Sequence, residues 1–179
     1  MNLPNKLTML RIIMIPFFLI CLYAQTAPAR IAALVIFCAA SLTDALDGYI
    51  ARKYGLVTNF GKFMDPLADK LLVCSAMIAL VSVRSAVMLP SWVVIIIIAR
   101  EFMITGFRTI AAEQNVVIAA GFWGKLKTIF QMIMIIVLRL DIDNTFFGIL
   151  SRVLIAAAVL LTIISAADYL IKNKDVLKG

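Results

Sequence analysis

The chain has 179 residues, 64% of them hydrophobic and only 15% charged, with a mean hydropathy of +1.05. These proportions exclude an ordinary soluble domain and fit a single membrane domain over residues 1–179. The net charge of +7 comes from cations scattered between apolar runs, which excludes a soluble basic face for nucleic acid and suits anionic substrates and an anionic leaflet.

In chain order, Asn2 can cap a helix that has Pro4 in its first turn, and the mixed polar and apolar run to Arg11 predicts a short N-terminal interfacial helix. It leads into the apolar stretch Ile12 to Ala24, read as a first span with a kink at Pro16. A cleaved signal peptide would share the positive start, the apolar middle and the small residues near Ala27 and Ala29; the stretch is read as retained. After a turn from Gln25 to Arg30, a second span is expected from Ile31 to about Lys53. A loop follows from Tyr54 to Phe60, then a third span from about Gly61 to Val83. Arg84 to Pro90 closes that hairpin. A fourth span runs from Ser91 to Thr109, a connector from Ala111 to Gly124, a fifth span from Lys127 to Leu140, and a sixth from Phe146 to about Leu170. The fold class is therefore all-α, polytopic, with six transmembrane helices. Cys21, Cys38 and Cys74 lie in apolar runs without ligand spacing and are read as small buried hydrophobes.

With both termini inside, and with Arg100 and Arg108 set aside as lying within or at the end of a span, eleven Lys and Arg side chains fall on the cytosolic half, against four on the other. That bias gives the orientation. Asp44 and Lys53 are nine positions apart, roughly 13 Å along a helix, so the acidic region sits shallowly in the cytosolic leaflet. The chain is accordingly expected in a bacterial cytoplasmic membrane with its site facing the cytosol.

That region carries Asp44, Asp47, Asp65 and Asp69 at the ends of two apolar spans. Each such acid costs about 2.5–3.5 kcal/mol at a helix centre on insertion scales and marks function by default. Asp44 and Asp47 are three apart and Asp65 and Asp69 four apart, so on helices each pair shares a face. Four converging anions repel unless hard divalent cations lie between them, which makes a metal site the simplest account. Ion pairing with Arg52, Lys62 or Lys70 is the structural alternative. Arg100, Arg108 and Lys125 form a second group. Arg100 interrupts an apolar run, and Arg108 lies eight residues on, about 80° round the helix, so both can border a phosphate pocket unless Glu101 merely neutralises Arg100.

The acids belong to the pattern D-x2-D-G-x2-A-R-x8-G-x3-D-x3-D, filled by Asp44, Asp47, Gly48, Ala51, Arg52, Gly61, Asp65 and Asp69. This resembles the signature of the CDP-alcohol phosphotransferases, membrane enzymes that move a phosphatidyl or similar group from a CDP-linked donor to an alcohol. The resemblance implies one or two divalent cations, Mg2+ or Mn2+, on the four aspartates, with Asp69 as general base for the acceptor hydroxyl. It implies room for the cytidine and its phosphates at Gly48, Ala51 and Gly61, though small residues also let helices approach. Arg52 can pair with a donor phosphate or anchor the membrane edge, and Thr8 and Arg11 fall where the family has an entry segment beside the nucleotide. The opening NLPNKLT, IARE at Ile98 to Glu101 and GKLKT at Gly124 to Thr128 resemble the branch that joins CDP-diacylglycerol to glycerol 3-phosphate and releases CMP. A homodimer is implied as well. Within the class the acceptor could instead be phosphatidylglycerol or an inositol phosphate. From another class, a divalent cation transporter would need acids along a path across the membrane, and none lies in the outer half of spans two or three.

Overall fold

A computed structural model describes residues 2–54, 58–113, 116, 118 and 121–174, without the side chains at 45, 47–49, 51, 52, 59, 60, 62, 63, 66 and 113. Among the described residues there are six α-helices and no strand, in two compact units divided between Ser85 and Ala86.

In the first unit, α1 (Leu3–Tyr23) starts at Asn2, whose side chain accepts the Asn5 N–H at 3.3 Å, with Pro4 in the first turn. The segment expected to lie at the interface is the beginning of this same helix, which continues through Pro16. Its buried positions, Asn5, Thr8, Arg11, Ile15, Phe18 and Leu22, recur every three or four residues as one stripe. The first half of that stripe is polar and the second apolar. The opposite face is also apolar and bare, with Ile13, Phe17 and Ile20 more than half exposed, which suits lipid rather than water. α2 (Ala27–Tyr54) runs antiparallel to α1: Phe18 packs on Phe37 at 5.7 Å between ring centroids, while Arg11 meets Asp44 near the far end of α2. Ala33, Phe37 and Ala40 form the buried stripe of α2, and Asp44 is its next position. α3 (Asn59–Ser82) is capped by Thr58, whose Oγ accepts the Gly61 N–H at 3.0 Å, and buries Ala68, Leu72, Ala76 and Leu80.

In the second unit, α4 (Ser91–Glu113) buries Val93, Ile97, Ile104, Phe107 and Ala111, and Arg100 occupies the gap in that stripe. α5 (Phe122–Leu140) buries Lys127, Gln131, Met134 and Leu138; α6 (Thr145–Lys172) buries Ser151, Ile155, Ala158, Thr162, Ser165 and Tyr169. Gln131 donates to Thr162 Oγ at 3.4 Å between these two helices. Asp141 takes a left-handed backbone (φ 50°) to end α5, and Asn144 caps α6 by accepting the Phe146 N–H at 2.9 Å.

Further details depart from the sequence expectations, among them the start of α5 and the burial of the cysteines. α5 begins at Phe122, five residues before Lys127, because Gly121 accepts the Lys125 N–H and the polar GKLKT run is helical. The cysteines are not buried: Cys38 is exposed and Cys21 and Cys74 are partly so. By length and composition α1, the 18 residues Ala27–Asp44 of α2, and α6 can each cross a membrane. The chain is a helical membrane protein.

Candidate active site

The polar half of the α1 stripe organises the acidic site. Thr8 and Arg11 are one turn apart and therefore share a face. Arg11, fully buried, pairs with Asp44 Oδ1 at 2.6 Å, and the Thr8 hydroxyl lies 2.6 Å from Asp65 Oδ1 and 3.1 Å from the Pro4 carbonyl. One hydroxyl carries one proton, and donation to the charged carboxylate is the stronger bond. Thus α1 draws one carboxylate from α2 and one from α3 to a single face, close enough for their like charges to act on each other. Beside them Thr58 Oγ donates to Asn5 Oδ1 at 3.0 Å, tying the N-terminus of α3 to α1.

Gly61 sits in this corner. A Cβ there would stand 3.1 Å from Asn5 Oδ1, 3.2 Å from Thr58 Oγ and 3.5 Å from Asp65 Oδ2, so the missing side chain keeps the second Asp65 oxygen accessible. Asp69 follows one turn after Asp65 and is half-buried. The side chains of Asp47, Gly48, Ala51 and Arg52 lie outside the described residues. Among the described residues no three acidic or sulfur side chains form a metal cluster. The chemistry that is present nevertheless fits a hard cation. The donors are all oxygen, Arg11 offsets Asp44, and among the described residues Asp65 faces another carboxylate with a neutral hydroxyl as its partner.

The second unit holds the other group. Arg100 Nη1 lies 3.1 Å from Glu101 Oε1, and Lys127 Nζ binds the same oxygen. The neutralising role open to Glu101 is therefore filled, but by one carboxylate facing two cations. Arg100 is only 11% exposed, its Nε makes no hydrogen bond among the described residues, and a Cβ at Gly124 would lie 3.9 Å from its Nη2. Arg108 is exposed, donates from Nε to Tyr169 Oη at 3.2 Å, and has its guanidinium 5.5 Å from the Tyr169 ring centre. Lys125 is exposed. In the sequence Tyr169 and Thr58 occupy no fixed motif position, and Asn5 and Lys127 lie within NLPNKLT and GKLKT without a role of their own. Lys127 was findable, since it lies four and seven residues before Gln131 and Met134 on the buried stripe of α5.

The model of the family described as CDP-alcohol phosphatidyltransferase matches residues 1–164. A Bacillus subtilis protein named "CDP-diacylglycerol--glycerol-3-phosphate 3-phosphatidyltransferase" is 44% identical, over 99% of this chain and 97% of its own. A Mycobacterium tuberculosis "Probable phosphatidylglycerophosphate synthase" is 42% identical over 94% of this chain and 79% of its own. A Rickettsia typhi protein with the same name as the Bacillus one is 39% identical over 94% of each. An α1 face that gathers carboxylates from two further helices, in a chain matched over nearly its whole length, leaves one conclusion: the chain belongs to the CDP-alcohol phosphatidyltransferase family and is an enzyme.

Proposed function

We propose that this protein transfers the phosphatidyl group of CDP-diacylglycerol to glycerol 3-phosphate, giving phosphatidylglycerophosphate and CMP in phospholipid biosynthesis. The observation that carries the proposal is the convergence of Asp44 and Asp65 on Thr8 and Arg11. The acceptor is suggested by the names of the relatives and by the buried, incompletely bonded Arg100.

The family uses divalent cations, and here Asp44, Asp47, Asp65 and Asp69 would hold Mg2+ or Mn2+, two per active site. When bound, such a cation neutralises charge on the donor diphosphate and on departing CMP. The remaining chemistry belongs to the chain. Gly48, Ala51 and Gly61 leave space for the nucleotide, Arg52 pairs with a donor phosphate, and Thr8 and Arg11 fix Asp65 and Asp44 beside it. Asp69 removes the proton from the primary hydroxyl of glycerol 3-phosphate. That oxygen then bonds to the phosphorus bearing the diacylglycerol, and the bond from that phosphorus to the CMP oxygen breaks. Arg100, Arg108 and Lys125 take the acceptor's phosphate, the arginines by two-pronged hydrogen bonding. Positioning and electrostatics supply most of the acceleration. The working form is a homodimer with the acidic site on the cytosolic side.

The test uses purified protein, Mg2+, CDP-diacylglycerol and a panel of acceptors: glycerol 3-phosphate, phosphatidylglycerol and an inositol phosphate. Equimolar CMP and phosphatidylglycerophosphate are expected with the first, and Asp69→Asn should bind donor yet lose turnover. Faster CMP release with another acceptor, or full activity of Asp69→Asn, overturns the proposal.

A further inference from the structure

A groove of about 630 Å³ opens on the second unit, between the segment entering α4 and one stripe of α6. Its volume falls in the range of about 300–1,000 Å³ usual for small-ligand sites. Arg152, Ile155, Val159 and Leu160 line it at positions i, i+3, i+7 and i+8 of α6, and Met88 and Trp92 face it from the other wall. Everything lining it is apolar except Arg152 and the backbone. Arg152 is exposed and makes no ion pair or hydrogen bond with any described residue. It lies two turns into α6, and the apolar positions run from it towards the middle of the helix. Trp92, 56% exposed in the first turn of α4, is the residue type that favours the boundary between membrane and water. Tyr169, which receives Arg108, is 17 residues further along α6, roughly 25 Å away.

We propose that this groove binds one anionic phospholipid, its phosphate on Arg152 and an acyl chain along Ile155 to Leu160. The charge at one end and the apolar stripe leading inward match the two halves of such a lipid. A zwitterionic lipid has no net negative charge to offset Arg152 and binds less well. This inference does not depend on the proposed reaction.

The chain contains two tryptophans, so Trp123→Phe leaves Trp92 as the sole indole reporter. This variant is reconstituted in phosphatidylcholine vesicles containing small fractions of brominated phosphatidylserine, which is not a substrate of the proposed reaction, or of brominated phosphatidylcholine. Trp92 fluorescence should fall about fivefold more steeply with the anionic lipid, the preference expected of one arginine near a membrane surface. Adding Arg152→Gln, at an exposed position where folding is not at issue, should abolish the difference, and Arg152→Lys should restore part of it. Equal quenching by the two lipids, or a preference that survives Arg152→Gln, overturns the inference. Absence of quenching by either lipid also overturns it, because protein rather than lipid then covers the groove.

Discussion

Among the described residues Arg11 is the largest fully buried side chain, and its environment sets what the acidic site can do. With Asp44 Oδ1 held by Arg11, Oδ2 is the oxygen left outside that pair. Breaking a buried pair by removing one partner costs about 3–5 kcal/mol. Asp44 is 34% exposed, so water recovers part of that, and Arg11→Met is expected to destabilise by about 2 kcal/mol. Denaturant unfolding of Arg11→Met, Asp44→Asn and the double variant checks this, because direct contact predicts a non-additive cycle. Strict additivity would mean the two side chains do not interact. At this scale the sequence was only partly legible. Asp44 and Asp65 stood out because carboxylates are rare in apolar spans, and Thr8 and Arg11 were reached through family resemblance. Asn5 and Thr58 look from sequence like ordinary polar residues at helix starts, and nothing local announces that they bond to each other across 53 positions.

Among the elements, the three- and four-residue stripes were readable wherever they were purely apolar and were obscured where a charge filled a stripe position. Arg100 on α4 and Lys127 on α5 are such charges, and their sharing of Glu101 lets both sit in buried rows. The expected connector, Ala111 to Gly124, therefore reaches into α5, which begins at Phe122 rather than at Lys127. Similarly, α2 starts at Ala27 rather than Ile31, since Thr26 Oγ accepts the Ala29 N–H at 3.4 Å and Pro28 suits a first turn. Two glycines show how differently the helices use a missing side chain. Gly106 in α4 has nothing within 4 Å of where a Cβ would stand, so Gly106→Ala should stabilise by about 0.5–1 kcal/mol through helix propensity alone. Gly61 abuts Asn5 and Thr58, which are fixed by their mutual hydrogen bond, so Gly61→Leu should separate α3 from α1 and lower both stability and CMP release. Thermal unfolding in detergent beside an activity assay distinguishes the two. A Gly61→Leu protein as stable and active as its parent would contradict the packing at that corner.

For the whole molecule, the number of membrane crossings follows from charge and connection rather than from hydropathy alone. Only α1, part of α2 and α6 pass as spans by composition among the described residues, since α3, α4 and α5 each carry three or more charged residues. In α4 and α5, however, Arg100, Glu101 and Lys127 compensate one another internally, which lowers the cost of placing them in a bilayer. Within the second unit, Asp141 at the end of α5 accepts the Ala86 N–H at 2.6 Å, so the chain returns to the end from which α4 began. A helical hairpin that returns in this way crosses twice if it crosses at all. With the eleven-to-four distribution of cations, this predicts six crossings, with residue 143 outside and residue 174 inside. In a variant lacking Cys21, Cys38 and Cys74, Asp143→Cys should react with an impermeant maleimide on intact cells, whereas Lys174→Cys should react only after permeabilisation. Both positions are exposed, so burial does not limit labelling. Labelling of Lys174→Cys from outside, or protection of Asp143→Cys until the membrane is opened, would require an odd number of crossings or the opposite orientation.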